Sequence, residues 1–63
     1  MKNHIKTGRA RKNYTQEDLA NLVGVTRQAI INIEKNNYNP SIELALKIAK
    51  ALDTPIQELF ELD

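Results

Sequence analysis

The stretch from Thr15 to Lys35, TQEDLANLVGVTRQAIINIEK, decides the fold. Thr15 precedes Gln16, Glu17 and Asp18, so a side-chain oxygen caps the first amides and two acids sit where the helix dipole favours negative charge. Leu19, Ala20, Leu22 and Val23 follow at the spacing of one helical face. Gly24 ends that helix, because glycine enters the left-handed cap conformation without a Cβ penalty. Thr26 caps a second helix that carries Ile30 and Ile33 inward. Asn36 and Asn37 stop it, since asparagine also tolerates the left-handed region. The pattern predicts helices over about 16–23 and 27–36. Two helices joined by so tight a turn cross steeply. The crossing needs a small side chain at the contact, Ala20, and a left-handed residue in the turn, Gly24. Leu19, Val23, Val25, Ile30 and Ile33 then lock the angle.

The outward face of the second helix is left free. It shows Arg27, Gln28, Ile31, Asn32 and Lys35. A helix has the width of a DNA major groove, and these residue types suit base edges there. Arginine donates two bonds to guanine, glutamine and asparagine pair bidentately with adenine, and an aliphatic group packs on a thymine methyl. Each polar residue taken alone is better read as an ordinary surface choice. The set is harder to dismiss, because Ile31 is expected to be exposed without a core to fill.

Outward from this pair, a helix is predicted from Lys2 to Lys12 with Ile5 inward. Downstream, Asn39-Pro40 marks a turn and Ser41 caps a fourth helix, whose inward stripe is Ile42, Ala45, Ile48, Ala49 and Leu52. Thr54-Pro55-Ile56-Gln57 reads as a capping box with proline at the first helical position. The last helix offers Ile56, Leu59 and Phe60. The expectation is an all-α fold of five short helices, without strands, filling residues 1–63 as one domain. Such helices are too short to be stable alone, so tertiary packing must hold them.

Composition narrows the function. The mix of 41% hydrophobic and 27% charged residues is that of a soluble globular domain. There is no Cys and one His, so neither a disulfide nor a thiolate or histidine metal cluster is expected within one chain. No apolar run approaches the roughly 18 residues of a membrane span. No apolar stretch follows the N-terminal lysines, so a signal peptide is not expected and the expected location is cytoplasmic. Catalysis finds no foothold. Glu17 and Asp18 are adjacent and diverge on a helix, the serines and threonines sit at helix starts, and Gly8 and Gly24 cannot form a phosphate loop. Neither a cofactor nor a small-molecule ligand is expected. The formal net charge of +1 conceals a split: residues 1–35 hold seven basic and three acidic side chains, residues 36–63 two and five. The split is compatible with a basic binding face and an acidic back, or with a lopsided solvated surface.

The segment TQEDLANLVGVTRQAIINIEK resembles the helix-turn-helix of the Cro/cI-like repressors, the xenobiotic response element (XRE) family. The continuation NNYNPSIELALKIAKAL and the opening IKTGRARKNY are similar to it too, so the likeness covers nearly the whole chain. It implies a lambda-repressor-like fold and a small stand-alone transcriptional regulator bound to double-stranded DNA. It implies that Arg27, Gln28, Ile31 and Asn32 face bases, and that Gln16 bonds a backbone phosphate and braces Gln28. It also implies that Arg9 and Glu34 form a structural salt bridge. Ile31 stands where many relatives carry a polar residue, and Ala29 where they often carry Thr.

Further phosphate contacts are expected from Thr26 and Lys35 at the two ends of the reading helix. Others are expected from Asn37, Tyr38 and Asn39, which lead to the N-terminus of the fourth helix. Lys6, Arg11 and Lys12 are expected to add to the positive field. The resemblance implies a two-fold homodimer with reading helices one DNA turn apart, about 34 Å. Leu44, Ile56, Leu59, Phe60 and Leu62 are the expected dimer residues. A different class remains open: a protein-interaction module of the same fold, such as an antitoxin or assembly adaptor using the C-terminal helix. Gly8 stands where most relatives place an aliphatic residue or Ala. Glycine inside a helix costs about 1 kcal/mol relative to Ala, so Gly8→Ala is expected to raise the melting temperature.

Overall fold

Helix caps set the element boundaries in the computed structural model, which describes residues 1–62. The order is β1 (Lys2–Asn3), α1 (Ile5–Lys12), α2 (Gln16–Val23), α3 (Arg27–Glu34), α4 (Ile42–Ala51), α5 (Ile56–Leu59) and β2 (Phe60–Glu61). Thr15 and Asp18 form a reciprocal capping box: the Asp18 amide donates to Thr15 Oγ1 at 3.0 Å and the Thr15 amide to Asp18 Oδ2 at 2.9 Å. Thr26 and Ser41 cap α3 and α4 by accepting from the Ala29 and Leu44 amides, each at 3.1 Å. Left-handed residues end the helices. Asn13, Gly24, Asn36 and Asp53 have φ of 58°, 77°, 62° and 52°. A Cβ on Gly24 would meet nothing within 4 Å, so glycine serves there for its conformation alone.

The core is aliphatic. Ile5, Leu19, Ile30, Ile33, Ile48 and Leu59 are its largest fully buried side chains. Burying each contributes about 1.5–3 kcal/mol, which holds helices that could not stand alone. Two expected inward residues face solvent instead. Leu22 is 57% exposed because it lies off the edge of the arc that buries Leu19, Ala20 and Val23. Ile42 has the right angular position, but it sits in the first turn of α4, past the edge of the core, and is 72% exposed.

The chain ends depart from the all-helical expectation. Helix α1 starts at Ile5, not Lys2, because β1 pairs antiparallel with β2, with Lys2 opposite Glu61 and Asn3 opposite Phe60. Helix α5 is a single turn, and Phe60 leaves it in an extended conformation to enter that ladder. The expected box at Thr54 does not form. Pro55 occupies the cap position, and Thr54 Oγ1 donates back to the Leu52 carbonyl at 3.0 Å.

Gly8 is buried, and an added Cβ would come within 2.9 Å of Leu52 Cδ1 and 3.4 Å of Leu52 Cβ. The glycine permits a close approach of α1 to the end of α4. The expected gain from Gly8→Ala is therefore withdrawn, since Leu52 is only 3% exposed and has little room to give.

Candidate nucleic-acid interface

The reading surface is positioned by the junction of α2 and α3. Ala20 is buried at the crossing, and its carbonyl accepts from the amides of Gly24 at 2.9 Å and Val25 at 3.0 Å. These bonds fold the chain back sharply, and Thr26 then starts α3. Ile30 and Ile33 anchor one face of α3 in the core, which turns the opposite face outward.

On that face Arg27 and Gln28 are exposed, while Ile31 and Asn32 are half-buried. Ile31 is thus less open than expected. The helix ends at Glu34, two residues before the expected boundary, and Lys35 follows as an exposed cap residue. Gln28 Nε2 donates to Asn32 Oδ1 at 3.1 Å across one helical turn. The bond leaves the Gln28 carbonyl and the Asn32 amide nitrogen pointing their capacity elsewhere, one acceptor and one donor group, which is the complement an adenine edge requires. It also restrains both side chains before any contact, lowering the entropy cost of binding.

Gln16 does not brace Gln28. Its Nε2 donates instead to Glu34 Oε1 at 3.4 Å. Glu34 also accepts from Arg9 Nε at 2.7 Å and Arg9 Nη2 at 3.1 Å, while Arg9 Nη1 donates to the Tyr14 carbonyl at 3.1 Å. The Arg9 and Glu34 side chains are 13% and 11% exposed. This half-sequestered pair joins α1 to the end of α3, and its value lies in fixing geometry more than in net stability. It also occupies the Arg9 charge.

Recesses bring the remaining expected residues together. Thr26, Gln28 and Asn32 share one with Tyr38 and Leu44; Gln16 and Arg27 share another with Arg9, Thr15 and Glu17. Asn37, Tyr38 and Asn39 are exposed in the loop after α3, where the Asn37 amide donates to the Asn32 carbonyl at 2.9 Å. The Thr26 hydroxyl oxygen is engaged in its cap.

Charge by chain half does not translate into charge by face. Lys12 lies 3.8 Å from Asp53, and Arg11 lines a recess with Asp53 and Glu58. These two cations sit beside acids of the second half of the chain.

One positioning contact had no signal in the sequence. Asn3 Nδ2 donates to the Ile33 carbonyl and to Asn36 Oδ1, both at 3.0 Å, and its Oδ1 accepts from the Ile5 amide at 3.3 Å. Its partners at Ile33 and Asn36 lie 30 and 33 residues away, beyond the reach of any local pattern.

The expected dimer residues separate. Leu59 is fully buried in the core and has no surface to offer a partner, and Leu44 is half-buried beside the α3 recess. Ile56 and Phe60 remain, lining an apolar groove with Met1, Pro40, Ile42, Ala45 and Gln57. Leu62 is 90% exposed next to it in sequence. Among the described residues no cluster of His, Asp or Glu is arranged to hold a metal ion, and no helix is long and apolar enough to cross a membrane.

Comparison with known proteins places this geometry. A family model described as helix-turn-helix matches residues 5–59. An uncharacterized HTH-type transcriptional regulator of Methanocaldococcus jannaschii is 55% identical over 60 residues, covering 95% of this chain and 91% of the relative. The restriction-modification controller protein C.AhdI of Aeromonas hydrophila superposes with a TM-score of 0.81 at 38% identity, covering 89% of this chain and 85% of that one. The biofilm master regulator SinR of Bacillus subtilis, in its complex with DNA, superposes with a TM-score of 0.77 at 35% identity, covering 84% and 86%.

Proposed function

The chain belongs to the helix-turn-helix family of DNA-binding transcriptional regulators, of the XRE type, and from that premise we propose that it is an operator-specific repressor acting as a homodimer. It is a regulator and not an enzyme. In the proposed complex α3 lies in the major groove. Arg27, Gln28 and Asn32 face base edges, and Ile31 contributes an apolar contact to a thymine methyl. Gln16, Thr26, Lys35, Asn37, Tyr38 and Asn39 flank α3 and approach the phosphates. All of residues 1–63 then serve as one DNA-binding domain, working in the cytoplasm where its operator lies.

The observation that carries this reading is the Gln28–Asn32 amide pair, held ready on the outward face of a helix whose other face is locked in the core. The homodimer rests on a second feature. The groove lined by Ile42, Ile56 and Phe60 offers apolar surface away from the α3 recess, and a two-fold partner seated there presents a second α3 to the same duplex. The same groove is what a protein-interaction module of this fold would use, but such a module has no need of the amide pair.

Gln28→Ala tests the reading. On the preferred operator it costs about 1–3 kcal/mol of affinity and relaxes the preference at one base position, as measured by competition gel shift. Equal affinity and unchanged preference would place the reading face elsewhere.

A further inference from the structure

The terminal ladder and the reading helix are joined through one side chain. Strand β1 pairs with β2, placing Asn3 opposite Phe60, and the His4 amide donates to the Leu59 carbonyl at 2.8 Å. The backbone of Asn3 is therefore tied to the segment whose Phe60 lines the apolar groove. Its side chain runs the other way. Asn3 Nδ2 donates to the Ile33 carbonyl in the last turn of α3 and to Oδ1 of Asn36, and the Glu34 carbonyl lies 3.5 Å off.

The last carbonyls of a helix have no partners within the helix, and a helix end is free to fray unless something else holds it. Here the Asn36 amide, at 3.0 Å from the Ile33 carbonyl, and the Asn3 amide nitrogen both serve that carbonyl. Asn36 is also the left-handed residue at which the chain turns into the loop carrying Asn37, Tyr38 and Asn39. A donor fixed to β1 thus holds the end of α3 and the start of that loop in one place.

We infer that Asn3 is a positioning residue for DNA reading: it sets the pose of the α3 C-terminus and its following loop against the terminal ladder, and so against the groove. This rests on the proposed DNA-reading role of α3. The ladder carries Phe60, so a second copy docked in the groove has its orientation passed to α3 through Asn3. Asn3 touches no DNA itself. Losing its donor changes how well two reading helices register on an operator, and it does not remove a phosphate contact.

The test uses Asn3→Ala, Asn36→Gly and the double variant. Glycine at 36 keeps the left-handed conformation while removing Oδ1. Affinity is measured well below the melting temperature, on an operator selected from random duplexes by the unsubstituted protein and on an unselected duplex. Asn3→Ala is expected to weaken operator binding about tenfold. Binding to the unselected duplex and the salt dependence should stay unchanged. Amide hydrogen exchange at Lys35, Asn36 and Asn37 should speed up while exchange in α4 does not. The double variant should lose less than the product of the single losses, because both remove the same bond. A lowered melting temperature with unchanged operator affinity would overturn the inference, leaving Asn3 a structural residue only. Unchanged exchange at 35–37 would overturn it as well. Failure of the unsubstituted protein to select any operator would instead overturn the DNA-reading role, and with it the inference.

Discussion

Gly8 and Leu52 show how a single contact reverses an expectation drawn from propensity. An alanine in place of Gly8 gains about 1 kcal/mol of helix propensity. Its Cβ would stand 2.9 Å from Leu52 Cδ1, and overpacking a filled core costs about 1–3 kcal/mol. Leu52 is 3% exposed, so its side chain has little space to turn into and the clash is expected to outweigh the gain. Gly8→Ala is expected to lower the melting temperature by a few degrees in a thermal scan, and to be better tolerated when Leu52 is also shortened to Val. A raised melting temperature in the otherwise unsubstituted protein would show that Leu52 yields easily. The sequence displays a glycine in a helix, but what that glycine faces depends on how closely α1 and α4 approach, and no spacing rule reports that distance. Arg9 and Glu34 were legible because the family likeness supplied the pairing. The detour of Gln16 to Glu34 was not, since a long amide side chain chooses among partners only once the fold has gathered them.

At the scale of elements, the capping signals were the most legible part of the chain. Thr15, Thr26 and Ser41 each bond an amide three residues on, because a side-chain oxygen beside an uncapped helix start has few competing partners. The fifth helix misled. The Thr54 hydroxyl turns back to donate to the Leu52 carbonyl, and the chain leaves α5 after one turn to pair with β1. Two-residue strands carry no alternation to read, and their partners come from opposite ends of the sequence. The ladder has its own electrostatic signature. A hydrogen bond from His4, the charge on His4 and, more weakly, the charge on Lys2 hold the Glu61 carboxyl below its ordinary value of 4.5. A lowered carboxylate pKa adds stability above the unfolded value and loses it as pH falls through the folded one. Glu61 is therefore expected to titrate below 4.5 in a carboxyl-detected NMR titration, and to move toward 4.5 in His4→Ala. A midpoint unaffected by that substitution would show that His4 does not hold the Glu61 carboxyl down.

At the scale of the whole molecule, the proposed homodimer is a question of reach. The chain measures 27 × 21 × 19 Å and carries one reading helix, whereas successive major-groove faces lie about 34 Å apart. One copy reaches one half-site, and reading two takes a second. Sedimentation of the protein at tens of micromolar is expected to give a dimer mass. A monomer mass both alone and on DNA would remove the homodimer. The net charge of +1 concealed a more structured arrangement than two charged halves. Arg9 pairs with Glu34, Lys12 and Arg11 stand beside acids, and Arg27 and Lys35 lie exposed at the two ends of the reading helix. Phosphate contacts position the protein and carry no sequence information, so discrimination rests on the base-facing side chains of α3. Selection of binding sites from a pool of random duplexes tests that directly. The expected result is a two-fold symmetric site with half-sites about 10 base pairs apart, weakened at one position by Gln28→Ala. A pool that emerges with no enriched sequence would contradict the account.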